Sequence, residues 1–499
     1  MANADNRIRR NLLSGVAYQI IVIGLGFLLP RLYLENFGSE VNGVLSTVKQ
    51  IFVYMNLLEA GVGLATTQAL YKPVAEKNYN SVSAILSATN LYYRKTGVIY
   101  GAIVLLISTV YAFVIPTGME PMMVFAIIIL TAVPALFSYF VQAKYRILLE
   151  VDGRKYVITN SEMVLQLLSN VGKILILLLT DSLVLMQLTY CMLSLLQLGY
   201  VYFQAKRRYQ WLNVNAQPDY GSIGQSKSVL IHQISGLVFS NTDVLLLGVL
   251  CDFKTVSVYT VYNIFFSHVQ QFITSITSGF SFALGQMFHT DRKKFLKVYH
   301  VYETGYIMAT FIVYTLMAVF LLPLIQIYTK GIEDANYTNV YLVFLFVVIN
   351  LLANGKLPSH HVVEFAGEFE KTRSHAIWEM VINIVVSVVA ILKWGICGAL
   401  VGTIAALAYR TLVLLQHTNR KVLKRSPWHT YKHWLVNGGV FGLVMALFFV
   451  DHFSGLTFGA LLIQGVVHSL WIVPLYILIN FVFFKDAFQN ALALWRKQI

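Results

Sequence analysis

Residues 122–143 read MMVFAIIILTAVPALFSYFVQA, residues 144–155 read KYRILLEVDGRK, and residues 156–180 read YVITNSEMVLQLLSNVGKILILLLT. The first and third stretches are each long enough to cross the bilayer, since about 30 Å of hydrocarbon takes roughly 20 apolar residues. The stretch between them is short and carries Lys144, Arg146, Arg154 and Lys155. Apolar run, basic loop, apolar run is the pattern of two spanning helices joined on one side of a membrane. Inside hydrocarbon, each helix satisfies its own backbone hydrogen bonds.

The pattern continues in both directions. Further apolar runs fall near 12–34, 44–68, 96–116, 183–204, 228–250, 256–282, 304–328, 339–356, 375–393, 396–416, 434–450 and 457–483. With the two quoted above they predict an all-α polytopic membrane protein of about 14 transmembrane helices. Composition agrees: 57% of the 499 residues are hydrophobic, 12% are charged, and the mean hydropathy is +0.66. A soluble domain carries about 25% charged residues. Arg7, Arg9 and Arg10 ahead of the first run resemble a signal peptide, but no small-residue cleavage site follows, so the run is read as an uncleaved first span.

The net charge of +14 does not point to nucleic acid, because the basic residues sit in short loops between the runs. With the N-terminus in the cytoplasm, inward loops and termini hold about 30 of the 37 Lys and Arg residues, and outward loops hold only Lys254, Lys330 and Lys393. That asymmetry is the one that retains basic loops on the cytoplasmic side during insertion. It predicts a multi-pass membrane protein with both termini inside. The inward segment 72–95 is read as a short surface helix ending in Tyr92-Tyr93-Arg94-Lys95. The external Asn336-Tyr337-Thr338 matches a glycosylation pattern too short to carry weight. Cys191, Cys251 and Cys397 form neither a disulfide framework nor a metal spacing.

The two halves echo one another. Lys49-Gln50-Ile51-Phe52 recurs as Tyr262-Asn263-Ile264-Phe265, and Thr96-Gly97 as Thr304-Gly305, about 208 to 213 residues on. Six helices intervene, and an even number returns the chain to the same side. The repeats are therefore parallel, related by a pseudo-two-fold axis along the membrane normal, one of the two recurring transporter plans. The expected organisation is a six-helix lobe at 1–204, a cytoplasmic linker at 205–227, a second lobe at 228–417, and a C-terminal pair of helices with a tail at 418–499.

Four bases lie inside predicted spans: Arg31, Lys49, Lys173 and Arg410. Four acids do as well: Glu59, Glu162, Asp243 and Glu379. A charge near a helix centre costs roughly 2.5–3.5 kcal/mol on insertion scales, so such residues face a bundle interior or a wet cavity. Bland readings stand beside this one. Arg31 and Lys49 lie near enough to span ends to snorkel, the acids to pair with the bases, and Glu162 and Glu379 to reach cytoplasmic water.

Polar side chains gather in the second half. Ser240-Asn241-Thr242-Asp243 lies in one span, His268, Gln270 and Gln271 in the next, and Asn350, Asn354 and Asn383 follow. They read as the lining of a water-accessible cavity or as interhelical glue. Bases in such a cavity suit an anionic group, above all phosphate. The acids Asp243, Glu59 and Glu379 leave room for coupling or gating by H+ or Na+. His232, His268 and His289 titrate near neutral pH when unperturbed, with packing roles as the alternative.

Asn36-Phe37-Gly38-Ser39-Glu40-Val41-Asn42-Gly43, then Glu59-Ala60-Gly61-Val62-Gly63-Leu64, resembles the polysaccharide flippases of the multidrug/oligosaccharidyl-lipid/polysaccharide exporter superfamily. Asn241-Thr242-Asp243, with Leu245-Leu246-Leu247-Gly248 and Val258-Tyr259, is similar to the start of that family's second lobe. The resemblance covers essentially the whole chain. It implies two six-helix lobes around a central cavity plus two C-terminal helices. It also implies transfer of a polyprenyl-pyrophosphate-linked oligosaccharide from the inner to the outer leaflet by alternating access, with no cofactor.

On this reading Arg31, Lys49, Lys173 and Arg410 attract pyrophosphate and acidic sugars, while Asn241, Gln270 and Gln271 hydrogen-bond the glycan. Membrane lipids and other polysaccharide-assembly membrane proteins are the expected partners. A cation-coupled multidrug exporter of the same superfamily is the nearest alternative, though it favours an acidic cavity and twelve helices. An integral-membrane glycan ligase or polymerase is a third, opposed by the short external loops. His360-His361 with Glu364 matches no zinc-protease spacing. A membrane scaffold leaves the embedded charges unexplained.

Overall fold

The computed structural model describes residues 2–213, 215–223, 227–448 and 457–496. Side chains are described from Gly24 onward, apart from those at 60, 61, 64, 223–233, 275, 276, 278, 279, 282, 369 and 495–496. The side chains of Arg7, Arg9, Arg10 and His232 lie outside the described residues.

The chain forms two compact units, Met1–Leu237 and Val238–Ile499. The first contains α1 (Ala2–Met55), α2 (Leu57–Ala75), α3 (Tyr79–Phe113), α4 (Pro121–Val141), α5 (Ala143–Val151), α6 (Lys155–Thr180) and α7 (Leu183–Arg208). The division falls within α8 (Lys227–Leu250), after the segment 205–227 read as a linker. The second unit continues with α9 (Phe253–Thr290), α10 (Arg292–Tyr328), α11 (Val340–Gly355), α12 (Leu357–Phe365), α13 (Phe369–Trp394) and α14 (Ile396–His417). Helices α15 (Trp428–Phe448), α16 (Phe458–Phe483) and α17 (Lys485–Arg496) complete it.

Among the described residues, nine helical stretches are long and apolar enough to cross a membrane by length and composition. The side chains they leave outside are those of a lipid-facing surface: Leu178 and Leu179 on α6 are 77% and 79% exposed, and Leu470 on α16 is 71% exposed. In water such a continuous apolar surface is a liability.

The expected external loop near 35–43 contracts to one residue. Gly38 (φ 78°, ψ 179°) turns the chain within α1, and a positive φ of this kind is open to glycine because it has no Cβ. The apolar run 44–68 is likewise broken at Asn56, between α1 and α2. The surface helix expected at 72–95 is not a separate element. Its residues extend α2 and α3, which meet at a turn through Lys77 (φ 55°). Asn78 caps α3 by accepting from the Ser81 amide, so a helix that begins in polar sequence runs straight into the membrane.

The internal repeat is visible in element lengths and breaks. Helices α5 and α12 have nine residues each. Asn78 and Asp291 cap the equivalent helices α3 and α10. Positive φ recurs at Gly118 and Gly331, Gly153 and Gly367, and Asp181 and Gly395. Each of these pairs is separated by 213 or 214 residues, at or one past the upper end of the spacing read from the sequence motifs.

Polar contacts join helices inside each unit. In the first, Thr66 and Thr89 share a hydrogen bond of 2.9 Å between α2 and α3. Gln187 of α7 donates to Thr131 of α4 at 2.8 Å. In the second, Thr315 of α10 meets Tyr476 of α16 at 2.7 Å, and Asn437 of α15 and Asn480 of α16 exchange amide bonds. Each such bond stabilises helix association by roughly 0.6 kcal/mol.

Candidate functional site

On α6, Ser169, Asn170 and Leu177 are buried, whereas Leu168, Val171, Leu175 and Leu178 are exposed. At 100° per residue these sets occupy opposite faces. Lys173 falls with the buried set and is itself half-buried. Its Nζ lies 5.0 Å from the centre of the Tyr190 ring of α7. That contact is a cation–π attraction, stronger away from water.

Lys49, on α1, is itself exposed, beside the buried Thr47, Val48 and Ile51. It lies close enough to Lys173 for the two like charges to repel. Among the described residues neither lysine has a carboxylate within 4.0 Å. Two ammonium groups in apolar runs, without a carboxylate within 4.0 Å among the described residues, are an arrangement that a nearby anion would stabilise.

The other embedded charges expected in this unit each have a partner. Arg31 pairs with Glu35 one turn along α1 at 2.5 Å. Glu59 accepts from the Tyr93 hydroxyl at 3.2 Å, and Glu162 pairs with Arg146 at 2.5 Å.

In the second unit the centre is Asp243, 5% exposed on α8. Its Oδ2 accepts from the Thr403 hydroxyl of α14 at 2.8 Å and from the Tyr259 hydroxyl of α9 at 3.2 Å. Thr403 in turn accepts from Asn383 Nδ2 of α13 at 2.9 Å. Asp243 Oδ1 and Asn383 Oδ1 are buried and have no hydrogen-bond partner among the described residues. A buried acceptor without a donor costs about 1–3 kcal/mol, so these oxygens are disposed to take a proton or a small cation.

The geometry depends on close approach of two helices. A Cβ on Gly402 of α14 would sit 2.5 Å from the Ser387 backbone nitrogen of α13, and one on Gly398 would overlap the Ala390 carbonyl carbon. Gly398-x-x-x-Gly402 is thus a small-residue stripe of the type that lets membrane helices touch. It brings Thr403 to Asn383.

Arg410 and Glu379 pair with one another. Glu379 Oε2 lies 3.4 Å from Arg410 Nε, and its Oε1 lies 2.8 Å from Lys356 Nζ. Arg410 also donates to the Thr372 carbonyl at 3.1 Å. Arg410 is 5% exposed and in this conformation is committed to these partners. That is the ion-pair reading of the embedded charges.

The remaining residues spread along α8 and α9. Asn241, Gln270 and Gln271 are half-buried. Gln270 Nε2 contacts Thr274 at 3.4 Å, while its Oε1 has no partner among the described residues. His289 is exposed against Phe288. His360 faces Glu364 at 3.5 Å within α12.

Sequence reasoning did not single out Tyr190, Lys356 or Thr403, and quoted Tyr259 only within the family resemblance. An aromatic or hydroxyl residue in an apolar helix carries no signal of its own until its neighbour is known.

No protein-family model matches the sequence, and no curated protein matches it. Solved structures do. Lipid II flippase MurJ in its inward closed conformation aligns at a TM-score of 0.66 and 14% identity, over 95% of this chain and 99% of that one. A multidrug resistance MATE family transporter in an inward-facing conformation aligns at a TM-score of 0.62 and 13% identity, over 86% and 96%. The Vibrio cholerae MATE transporter VcmN, in a mutant form, aligns at a TM-score of 0.53 and 13% identity, over 86% and 100%. At these identities the likeness is one of fold: the chain is a multi-pass membrane protein with the fold of transporters of the multidrug/oligosaccharidyl-lipid/polysaccharide superfamily.

Proposed function

We propose that the protein is a flippase that moves a polyprenyl-pyrophosphate-linked oligosaccharide from the cytoplasmic to the outer leaflet of a bacterial cell membrane by alternating access, for cell-surface polysaccharide synthesis. The observation that carries this reading is the Lys49–Lys173 pair. Two neighbouring ammonium groups with no carboxylate partner among the described residues match the two phosphates of a pyrophosphate in sign and number. The charge-assisted bonds they offer are about twice as strong as neutral ones. Likeness to a lipid II flippase supports the same class of cargo. The asymmetry of basic loops supports cytoplasmic termini.

Asp243 is the proposed coupling residue. Its free Oδ1 and that of Asn383 fit a proton or Na+, with Thr403 and Tyr259 holding the opposite carboxylate oxygen. Gln270, Gln271 and Asn241 are the proposed hydrogen-bonding side chains for the glycan. The second reading, a cation-coupled multidrug exporter, is favoured by the likeness to MATE transporters. The lysine pair opposes it, because organic cations would be repelled.

Proteoliposomes loaded with polyprenyl-pyrophosphate oligosaccharide separate the two. Protein-dependent exposure of the inner pool to an impermeant glycosidase is expected. Movement of organic cations with no movement of the lipid-linked glycan would transfer the assignment to the exporter reading.

A further inference from the structure

Four side chains with metal-binding atoms meet in the second unit, and none of them is a partner of Asp243 or of the Arg410–Glu379 pair. His300 and Glu303 are three residues apart on α10, and His429 and His433 are four apart at the start of α15. Both spacings place a pair on one helix face. One ligand atom from each of the four residues lies within 4.8 Å of every other. The ring centres are 4.8 Å apart for His300 and His429, 5.6 Å for His429 and His433, and 6.1 Å for His300 and His433.

Hydrogen bonding does not account for this gathering. Among the described residues, both ring nitrogens of His433 and the Nδ1 atoms of His300 and His429 are buried without a hydrogen-bond partner. His433 is 0% exposed, with Phe484 stacked 3.9 Å from its ring centre. Each unpaired buried polar atom costs about 1–3 kcal/mol, and here four share one place.

His429 and His433 lie ahead of the apolar run 434–450. Burial, with the Arg425 charge next, pushes His429 down to about 4. Burial pushes His433 down to about 3 against the opposing pull of Glu303.

Glu303, 0% exposed, is held from behind. Arg425 Nη2 donates to its Oε2 at 2.6 Å and Thr430 to its Oε1 at 2.7 Å. Arg425 is itself fixed by Asn419 Oδ1 at 2.6 Å. A carboxylate oxygen has a second lone pair, so these bonds orient the group without exhausting it, as outer partners of metal ligands do.

We propose that His300, Glu303, His429 and His433 form a binding site for a zinc-class divalent transition-metal ion. Three imidazoles and one carboxylate are donors of the borderline type that zinc takes in four-coordinate sites. Bonds of about 2.1 Å place tetrahedral ligand atoms about 3.4 Å apart, so the cluster contracts by rotation of side chains. His429, whose side chain is 39% exposed, is the one with room to move and marks the entry path. Occupancy would clamp α15 to α10.

The test uses full-length, untagged protein in detergent micelles, stripped with a chelator. Zn2+ is titrated by calorimetry, and Co2+ by visible absorption, which reports tetrahedral coordination. Wild type is expected to take up one Zn2+ per chain. His429→Ala, at the partly exposed position, should weaken it at least tenfold, and His300→Asn should abolish both stoichiometric uptake and the tetrahedral Co2+ band. Monodisperse elution and an unchanged metal-free melting point report that each variant is folded. Absence of stoichiometric binding in wild type, or an unchanged affinity and Co2+ spectrum in folded His429→Ala, would overturn the proposal. Neither readout depends on transport.

Discussion

Thr403 donates to Asp243 across 2.8 Å while accepting from Asn383, so the acid of α8 is held from α13 and α14 on one oxygen and left open on the other. The arrangement makes Asp243 sensitive to whatever cation reaches Oδ1. Asp243→Asn removes the charge and keeps the shape. It is expected to slow transport at least tenfold and to abolish the response to an imposed Na+ or pH gradient in proteoliposomes. Thr403→Val, which removes one bond to a charged group worth about 1.5–3 kcal/mol, should shift the cation dependence without abolishing transport.

The contact that positions Thr403 is steric. Gly402→Ala places a methyl 2.5 Å from the Ser387 backbone nitrogen, and backbone does not step aside as a flexible side chain would. Overpacking of this kind costs about 1–3 kcal/mol. A drop in the thermal midpoint is expected, larger than that of Gly438→Ala, where an added Cβ meets nothing within 4 Å.

Glu379 holds two cations, Lys356 at 2.8 Å and Arg410 at 3.4 Å. Removing the acid strands both, whereas removing Arg410 leaves Glu379 still paired. Glu379→Gln should therefore destabilise by about 3–5 kcal/mol, the usual cost of breaking a buried pair, and Arg410→Met by less. Chemical denaturation of the two variants in mild detergent checks the order. A larger loss in Arg410→Met would contradict it.

Acid should weaken the fold through His433. Its folded-state value is depressed by burial from 6.5 to about 3, so the unfolded chain binds the proton first. Stability is full above 6.5 and is lost as pH falls toward 3. Between pH 7 and pH 5 the loss is about 2 kcal/mol from this group. Thermal midpoints of metal-free protein should fall across that range, and His433→Phe should make the fall shallower, with His429, depressed to about 4, supplying the remainder.

Much of this architecture is legible in the sequence, for a physical reason. Hydrocarbon admits only helices whose lengths and flanking charges match the bilayer, so runs such as 122–143 announce themselves. Breaks are harder. Gly38 turns the chain inside α1 and Asn56 interrupts an apolar run, because one residue with suitable backbone freedom suffices and leaves no compositional trace.

Embedded charges were visible one by one, but their partners were not. Nothing in the spacing of Glu379 and Arg410 says that they meet, or that Lys49 and Lys173 come close enough to repel with no acid paired to either among the described residues. The histidine cluster was half-legible. His300-x-x-Glu303 and His429-x-x-x-His433 each mark one helix face, but 126 residues separate Glu303 from His429, and only packing of α10 against α15 joins them.

The central claim is that Lys49 and Lys173 bind the pyrophosphate of a lipid-linked glycan. The most direct measurement compares wild type with Lys49→Gln/Lys173→Gln in proteoliposomes. Its readout is exposure of inner-leaflet polyprenyl-pyrophosphate oligosaccharide to an impermeant glycosidase, at equal reconstituted protein. The account predicts at least a tenfold loss of flipping in the double variant, with membrane insertion and thermal midpoint retained. Wild-type flipping by the double variant would contradict it.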